Sequence, residues 1–222
     1  MQKRGNLLLY YPVKKLYNVR GKRDEYIMEK MVPVGISAHH IHLSKADFNA
    51  LFPNQEDLTH FKDLSQPGQY AAVEKLDVVS LDPKGKPITG VRILGPLRPE
   101  SQVELMRSEC TKCKINGPVR SSGDTKGSGA VKLVNPLNGN EVILEEGVIV
   151  ADRHIHFSTE DAEKYGVVDR QTVSVKVGGR KGGIMNEVLC RVSPKFALDF
   201  HIDVDDASAF DLKQGDLVEI IL

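Results

Sequence analysis

Three cysteines in 222 residues are too few for a disulfide framework, and Cys110, Cys113 and Cys190 cannot all pair with one another. A reducing compartment is therefore expected. Net charge is missing as well: 30 basic side chains balance 30 acidic ones, so no broad basic field draws the chain to nucleic acid. No apolar run approaches the roughly 18 residues of a membrane-spanning helix. Long helical patterns are also scarce, which argues against an amidohydrolase-type α/β barrel with its alternating helices. What remains is 41% apolar and 27% charged, an ordinary composition long enough for one large or two small domains with a buried core.

The first 23 residues carry seven basic side chains and no acidic one. Leu7 to Tyr11 form a brief apolar patch that Pro12 interrupts. That patch is short for a signal-peptide core, and no small-residue cleavage site follows it. The expectation is a solvated basic arm, the alternatives being a targeting peptide or a partner-docking segment.

From about Val32 the chain reads as short β-branched runs broken by Gly and Pro. Strands are expected over 32–37, 77–81, 91–94, 131–134, 142–144, 148–151, 172–177, 188–192 and 217–221. The turns between them include Asp82-Pro83-Lys84-Gly85, Asn138-Gly139 and Gly178-Gly179. Helices are expected only over 45–52, 159–165 and 205–210. Many short strands with few helices favour a mainly β chain of two small β-barrels.

A metal-ligand pattern occurs twice in this frame. His40-Ile41-His42-Leu43-Ser44 recurs as His154-Ile155-His156-Phe157-Ser158, an offset of 114, with Asp47 matched by Asp161. In a strand, residues two apart share a face, so each His-x-His can present two imidazoles to one ion. Ser44 and Ser158 stand three residues before Asp47 and Asp161, an N-cap spacing that opens a short helix. The repeat extends further: Val91-Arg92-Ile93-Leu94-Gly95-Pro96 is set against Leu189-Cys190-Arg191-Val192-Ser193-Pro194 by its proline. Glu104 follows the first proline by eight residues and His201 the second by seven, so each half offers a third ligand.

These observations predict two barrel halves forming an internal pseudo-repeat with a metal site between them. The expected division is a basic extension over 1–31, a first barrel half over 32–117, a Gly/Ser-rich loop with connecting strands over 118–147, and a second half over 148–222. His39, replaced by Arg153 in the repeat, is not expected to be a ligand, and His60, in a polar loop, carries no special expectation. Cys190 is expected in the core, and the single Cys110-Thr111-Lys112-Cys113 pair is not expected to hold structural zinc. Imidazole and carboxylate ligands suit zinc, with iron, cobalt or nickel allowed by ligand type.

Six segments carry a closer likeness: 34–44, 62–71, 91–98 with Gln102-Val103-Glu104, 120–124, 151–156 and 201–207. In order, they resemble the motifs of the PduL-type phosphotransacylases, also called phosphate propanoyltransferases. The resemblance implies two β-barrels, a site for two zinc ions per chain, and the reaction acyl-CoA + phosphate ⇌ acyl phosphate + CoA on acetyl or propanoyl groups. It implies one metal on His40, His42 and Glu104 and a second on His154, His156 and His201. Arg98 matches the phosphate-binding arginine, which makes it the catalytic candidate. Lys62, Arg92 and Leu94 match positions lining the coenzyme A pocket. Implied partners are coenzyme A, phosphate and short-chain acyl groups, with no nucleic acid and no membrane.

The resemblance further implies a bacterial homodimer in propanediol or acetate metabolism. The cytoplasm is the expected location, and the lumen of a microcompartment is the alternative. The chain departs from the family pattern at His39, where arginine is usual, and at Asp206 and Ser208, where glutamate and asparagine are usual. The alternative functions are a metal-dependent hydrolase on the same histidines and a non-catalytic metal-binding module. A fixed phosphate-binding arginine such as Arg98 separates a transacylase from a hydrolase, which has no use for one.

Overall fold

The computed structural model describes residues 30–222, so the basic arm expected over 1–31 lies almost wholly outside the described residues. Alternating apolar positions make the strands: Val131 and Leu133 in 129–134, and Val173, Val175 and Val177 in 172–177, all point inward. Two separate cores result. One gathers around Ile41, Leu76, Ile93, Val103 and Leu133, the other around Val34, Ile155, Phe157, Cys190 and Phe200.

The strands are β1 (Met31–Ser37), β2 (His40–His42), β3 (His60–Asp63), β4 (Tyr70–Val79), β5 (Ile88–Gly95), β6 (Gln102–Glu104) and β7 (Val119–Arg120), then β8 (Gly129–Val134), β9 (Glu141–Ala151), β10 (His154–Phe157), β11 (Thr172–Val177), β12 (Gly183–Val192), β13 (Asp199–Asp203) and β14 (Leu217–Ile221). The helices are α1 (Lys45–Leu51), α2 (Arg107–Cys113), α3 (Thr159–Tyr165) and α4 (Val204–Phe210). Among the described residues, no helix is long and apolar enough to cross a membrane.

Two six-stranded barrels close. One runs β1-β13-β10-β12-β11-β14 and back to β1. The other runs β9-β6-β2-β5-β4-β8 and back to β9, with β3 and β7 added at edges. The pairings match step for step: β2 is parallel to β5 and antiparallel to β6, as β10 is to β12 and β13. The pseudo-repeat is therefore a repeat of whole barrels.

The barrels exchange their leading strands. β1 sits in the barrel of the second half, parallel to β13, and β9 sits in that of the first, parallel to β6. The chain thus crosses between barrels just before each His-x-His, from Ser37 to His40 and from Ala151 to His154. This crossing delivers both histidine pairs to the interface.

Local chemistry fixes the ends of these strands. Ser44 and Ser158, with extended backbone, accept from the amides of Asp47 and Asp161 and so cap α1 and α3. Gly166, at φ 70°, stops α3. The last carbonyls of α1 are satisfied from the β8–β9 turn: Asn135 Nδ2 and Asn138 Nδ2 donate to Leu51 O at 2.9 and 3.0 Å. Helix α2, absent from the sequence reading, begins with Glu109 Oε2 accepting from Met106 N at 3.1 Å. The strand runs expected at 142–144 and 148–151 are one strand, β9, because Gly147 at φ 140° lets it bend without breaking.

Polar contacts staple the barrels together. Ser65 Oγ donates to Asp199 Oδ2 at 2.7 Å, and Gln66 Nε2 donates to Ala197 O at 2.9 Å. Ser108 N and Oγ both donate to the Asp205 carboxylate at 2.8 Å. A Cβ on Gly35 of β1 would lie 2.4 Å from Asp199 Oδ1. Gly35→Ala should displace that carboxylate from Ser65 and destabilise the fold by about 1–3 kcal/mol. Denaturant unfolding checks this, and an unshifted midpoint would mean that Asp199 has room to give way.

Candidate functional site

The matched register places the third ligand candidates. His40 pairs with Glu104 across β2–β6, and His154 pairs with His201 across β10–β13. In the first set, His40 Nε2 lies 3.4 Å from Glu104 Oε2 and His42 Nε2 lies 3.9 Å from Glu104 Oε1. In the second, the His154 ring lies 4.6 Å from that of His156 and 5.2 Å from that of His201. The donor atoms of each set lie within 4.8 Å of one another. Both sets face one cleft of about 770 Å³ between the barrels.

Backbone carbonyls orient three of the rings. His40 Nδ1 contacts Ala38 O at 2.9 Å, His154 Nδ1 contacts Asp152 O at 2.8 Å, and His42 Nδ1 contacts Leu94 O at 3.3 Å. Those carbonyls select the tautomer with the proton on Nδ1, which leaves Nε2 as a lone-pair donor. Among the described residues, His156 Nδ1 and His201 Nδ1 are buried without a hydrogen-bond partner. Orphaned nitrogens of this kind are costly unless something else occupies them. A transition-metal ion fits both donor sets by ligand chemistry: imidazoles in one, imidazoles with a carboxylate in the other.

The electrostatics agree. Burial, helped by neighbouring His201, lowers the His154 pKa to about 4, and burial with the His154 and His201 charges lowers His156 to about 2. Burial lowers His42 and His201 as well. Neutral imidazoles are the metal-binding form. His40 goes the other way: burial opposes its charge, but the adjacent Glu104 carboxylate outweighs it and raises the pKa. Burial would raise Glu104, yet His40 and His42 together with the Ser122 hydroxyl hold it well below the usual carboxylate range.

These shifts predict acid sensitivity in the metal-stripped protein. The unfolded chain protonates its histidines near pH 6.5, whereas His154 resists until about pH 4. Unfolding therefore takes up protons, and stability falls as the pH drops below about 6.5, by roughly 2 kcal/mol at pH 5 for such a ring. The raised His40 works in reverse, its contribution present below about pH 6.5 and lost as the pH rises. One ring against four leaves the downward trend dominant. Urea unfolding between pH 7.5 and 5 measures it, and a constant midpoint would contradict it.

Around the first set, Ser122 Oγ and Gln102 Nε2 each donate to Glu104 Oε1 at 2.7 Å, and Gly123 N donates to Gln102 Oε1 at 2.7 Å. The Gly/Ser-rich loop thus orients the carboxylate of this candidate donor set. Arg98 is pinned by its own amide to Leu43 O at 2.8 Å, and its Nη1 donates to Ser122 Oγ at 3.2 Å. Among the described residues Arg98 forms no ion pair, and burial depresses its pKa. Lys62, Arg92 and Leu94 line the cleft farther along the first barrel; Arg92 packs 4.7 Å from the exposed Phe61 ring and donates to Ala72 O.

All ten residues singled out from the sequence line this one cleft. Ser122, Gln102, Arg191, Phe196 and Asp199 were not among them. For Arg191 the reason is a slip of one residue. Alignment on the prolines sets it against Ile93. The strand register instead sets Ile41 on Ile93 and Ile155 on Cys190, so Ile93 matches Cys190 and Leu94 matches Arg191. A single-residue slip exchanges the two faces of a strand. Ile93 and Cys190 are both fully buried, as equivalents should be, and burial pushes the Cys190 thiol up to about 11. Cys110 and Cys113 are likewise buried, on α2.

The departure at His39 keeps the local pattern. His39 Nδ1 lies 2.6 Å from Glu109 Oε1, and its repeat partner Arg153 lies 3.1 Å from Asp206 Oδ2. His60 is exposed and pairs with Asp63.

Known proteins resemble this chain over most of its length. Residues 33–213 match the family model described as phosphate propanoyltransferase. The phosphate propanoyltransferase of Thermotoga maritima is 43% identical over 96% of this chain and 97% of its own length. That of Levilactobacillus brevis is 48% identical over 80% of this chain and 83% of its own. That of Listeria monocytogenes is 43% identical over 88% and 89%. With matched barrels, paired donor sets and this likeness over most of its length, the chain belongs to the phosphate propanoyltransferase family of transferases.

Proposed function

We propose that the protein interconverts a short-chain acyl-CoA and phosphate with an acyl phosphate and CoA, in a metal-dependent reaction. The observation that carries this reading is one cleft containing two three-residue donor sets with, beside them, the guanidinium of Arg98, which forms no ion pair among the described residues. His40, His42 and Glu104 would hold one divalent ion, and His154, His156 and His201 a second, zinc by ligand type. Bound there, such an ion supplies Lewis acidity to the thioester carbonyl, its oxyanion and the leaving sulfur.

The chain's own groups do the rest. Phosphate is a poor nucleophile unless held, and the Arg98 fork fixes two of its oxygens toward the carbonyl carbon. A carbon–oxygen bond forms, the tetrahedral adduct collapses, and the carbon–sulfur bond breaks with its electron pair leaving on the CoA thiolate. No side-chain nucleophile is required. Ser122 and Gln102 keep Glu104 turned toward His40 and His42. Lys62 and Arg92 take the negative charge of CoA, and Leu94 gives an apolar contact. The reading also takes the protein to be a homodimer in the cytoplasm, with the lumen of a microcompartment as the alternative location.

The test is thiol release from acetyl-, propanoyl- and butanoyl-CoA with and without phosphate, alongside metal analysis. Phosphate-dependent release with an acyl phosphate product is expected. Equal release without phosphate would favour the hydrolase instead.

A further inference from the structure

We propose that Arg191, on the second barrel, is a second ligand for the attacking phosphate, so that two guanidiniums from opposite barrels clamp one anion. The inference rests on the phosphotransacylase reading and names a contact within that site.

Arg191 lines the cleft from β12, in register with His156 of β10. Paired residues on neighbouring strands point to the same face, so the guanidinium is presented on the side of the His156 imidazole. Its charge reaches the second donor set and Arg98, helping to lower the pKa of His154, His156, His201 and Arg98. Among the described residues its side-chain contact is the Phe196 ring, 5.7 Å away; no carboxylate makes an ion pair with it, and Glu104 and Asp169 favour its charge only from farther off. Phe196 also stands edge-on to His156 at 4.5 Å, which fixes the guanidinium beside that donor set.

A half-buried arginine with no ion-pair partner among the described residues loses hydration that the more distant Glu104 and Asp169 charges offset only in part, and a bound anion would complete it. The pseudo-repeat sharpens the point. The equivalent place in the first barrel is Leu94, so an apolar side chain suffices there for the fold. The cleft is thereby asymmetric, with leucine on one wall and guanidinium on the other. Of the anionic groups in the reaction, the CoA phosphates fall on the proposed reading to Lys62 and Arg92, which line the cleft from the first barrel. The anion that must meet both donor sets is the transferred phosphate, and Arg98 with Arg191 flank it.

Arg191→Leu, which installs the residue of the equivalent position, should raise KM for phosphate, and for acyl phosphate in reverse, by at least about tenfold. Metal content should stay unchanged. The preference for acyl-CoA over the corresponding acyl-pantetheine, which lacks phosphate, should also persist. Thermal stabilisation by inorganic phosphate gives a readout without turnover and should shrink in the variant. Arg191→Lys, which keeps the charge but not the fork, should fall between and serves where the leucine variant does not fold. Unchanged phosphate KM in the lysine or leucine variant would overturn the inference. So would a defect that falls on acyl-CoA and vanishes with acyl-pantetheine. Wild-type protein without phosphate-dependent thiol release would sink the functional reading instead, which the same assays report separately.

Discussion

His42→Ala and His156→Ala should each lose about one equivalent of metal, retain the other, and lose nearly all turnover. Each substitution removes one imidazole from a different three-donor set, on a different barrel. Two remaining donors no longer enforce the geometry that zinc needs, so occupancy falls at the damaged set alone. The intact set keeps its own orienting contacts: Ala38 O and Leu94 O in one case, Asp152 O in the other. Turnover should nonetheless fall by more than about a hundredfold in both, because electrostatic stabilisation at the carbonyl is worth at least that much per preorganised group. The measurement is metal stoichiometry and thiol release on the same preparations. Either variant keeping two metals with near-normal release would remove that His-x-His pair from the ligand sets.

Arg98→Ala is the second large effect. A charge-assisted contact to phosphate is worth roughly 1.5–3 kcal/mol, so KM for phosphate should rise by about 10- to 150-fold. A further fall in kcat follows if orientation is lost too. The fold should tolerate the change, because the anchoring contact from this residue to Leu43 O uses its backbone amide. Metal content should stay at the wild-type level. Arg98→Lys should recover part of the loss through charge but not the two-pronged geometry. Phosphate kinetics that ignore both substitutions would take Arg98 out of the site.

The pH trend and the Gly35 strain test lie on a different link of the chain, that of stability. They report on the same feature, a cleft in which burial and close approach have been accepted to hold donors together. Gly35 has no side chain because Asp199 lies against it, and Asp199 is in turn the acceptor for Ser65 of the other barrel.

Much of the site was legible in the sequence because its signals are local. Two imidazoles on one strand face need only residues i and i+2, and a serine three residues before an aspartate is a cap wherever it occurs. The spacing from each His-x-His to Glu104 or His201 survives because each half folds into the same barrel with the same register. Cys190 could be assigned to a core from its place in an apolar strand alone.

Other features depend on partners distant in the chain, and these only the tertiary structure decided. That β1 closes the second barrel and β9 the first follows from parallel pairing with β13 and β6, which no local pattern encodes. The one-residue offset between β5 and β12 is set by hydrogen bonding to β2 and β10; sequence similarity at the prolines ran against it and hid Arg191 on the wrong face. Strands β3, β6 and β13 are too short or too polar to announce themselves, and they hold their shape through the neighbours they pair with. The sequence by itself determined which side chains can bind a metal and where each strand of ligands ends. The exchange of strands between barrels decided that the two sets face one cleft, because only long-range pairing carries the chain across the interface just before each histidine pair.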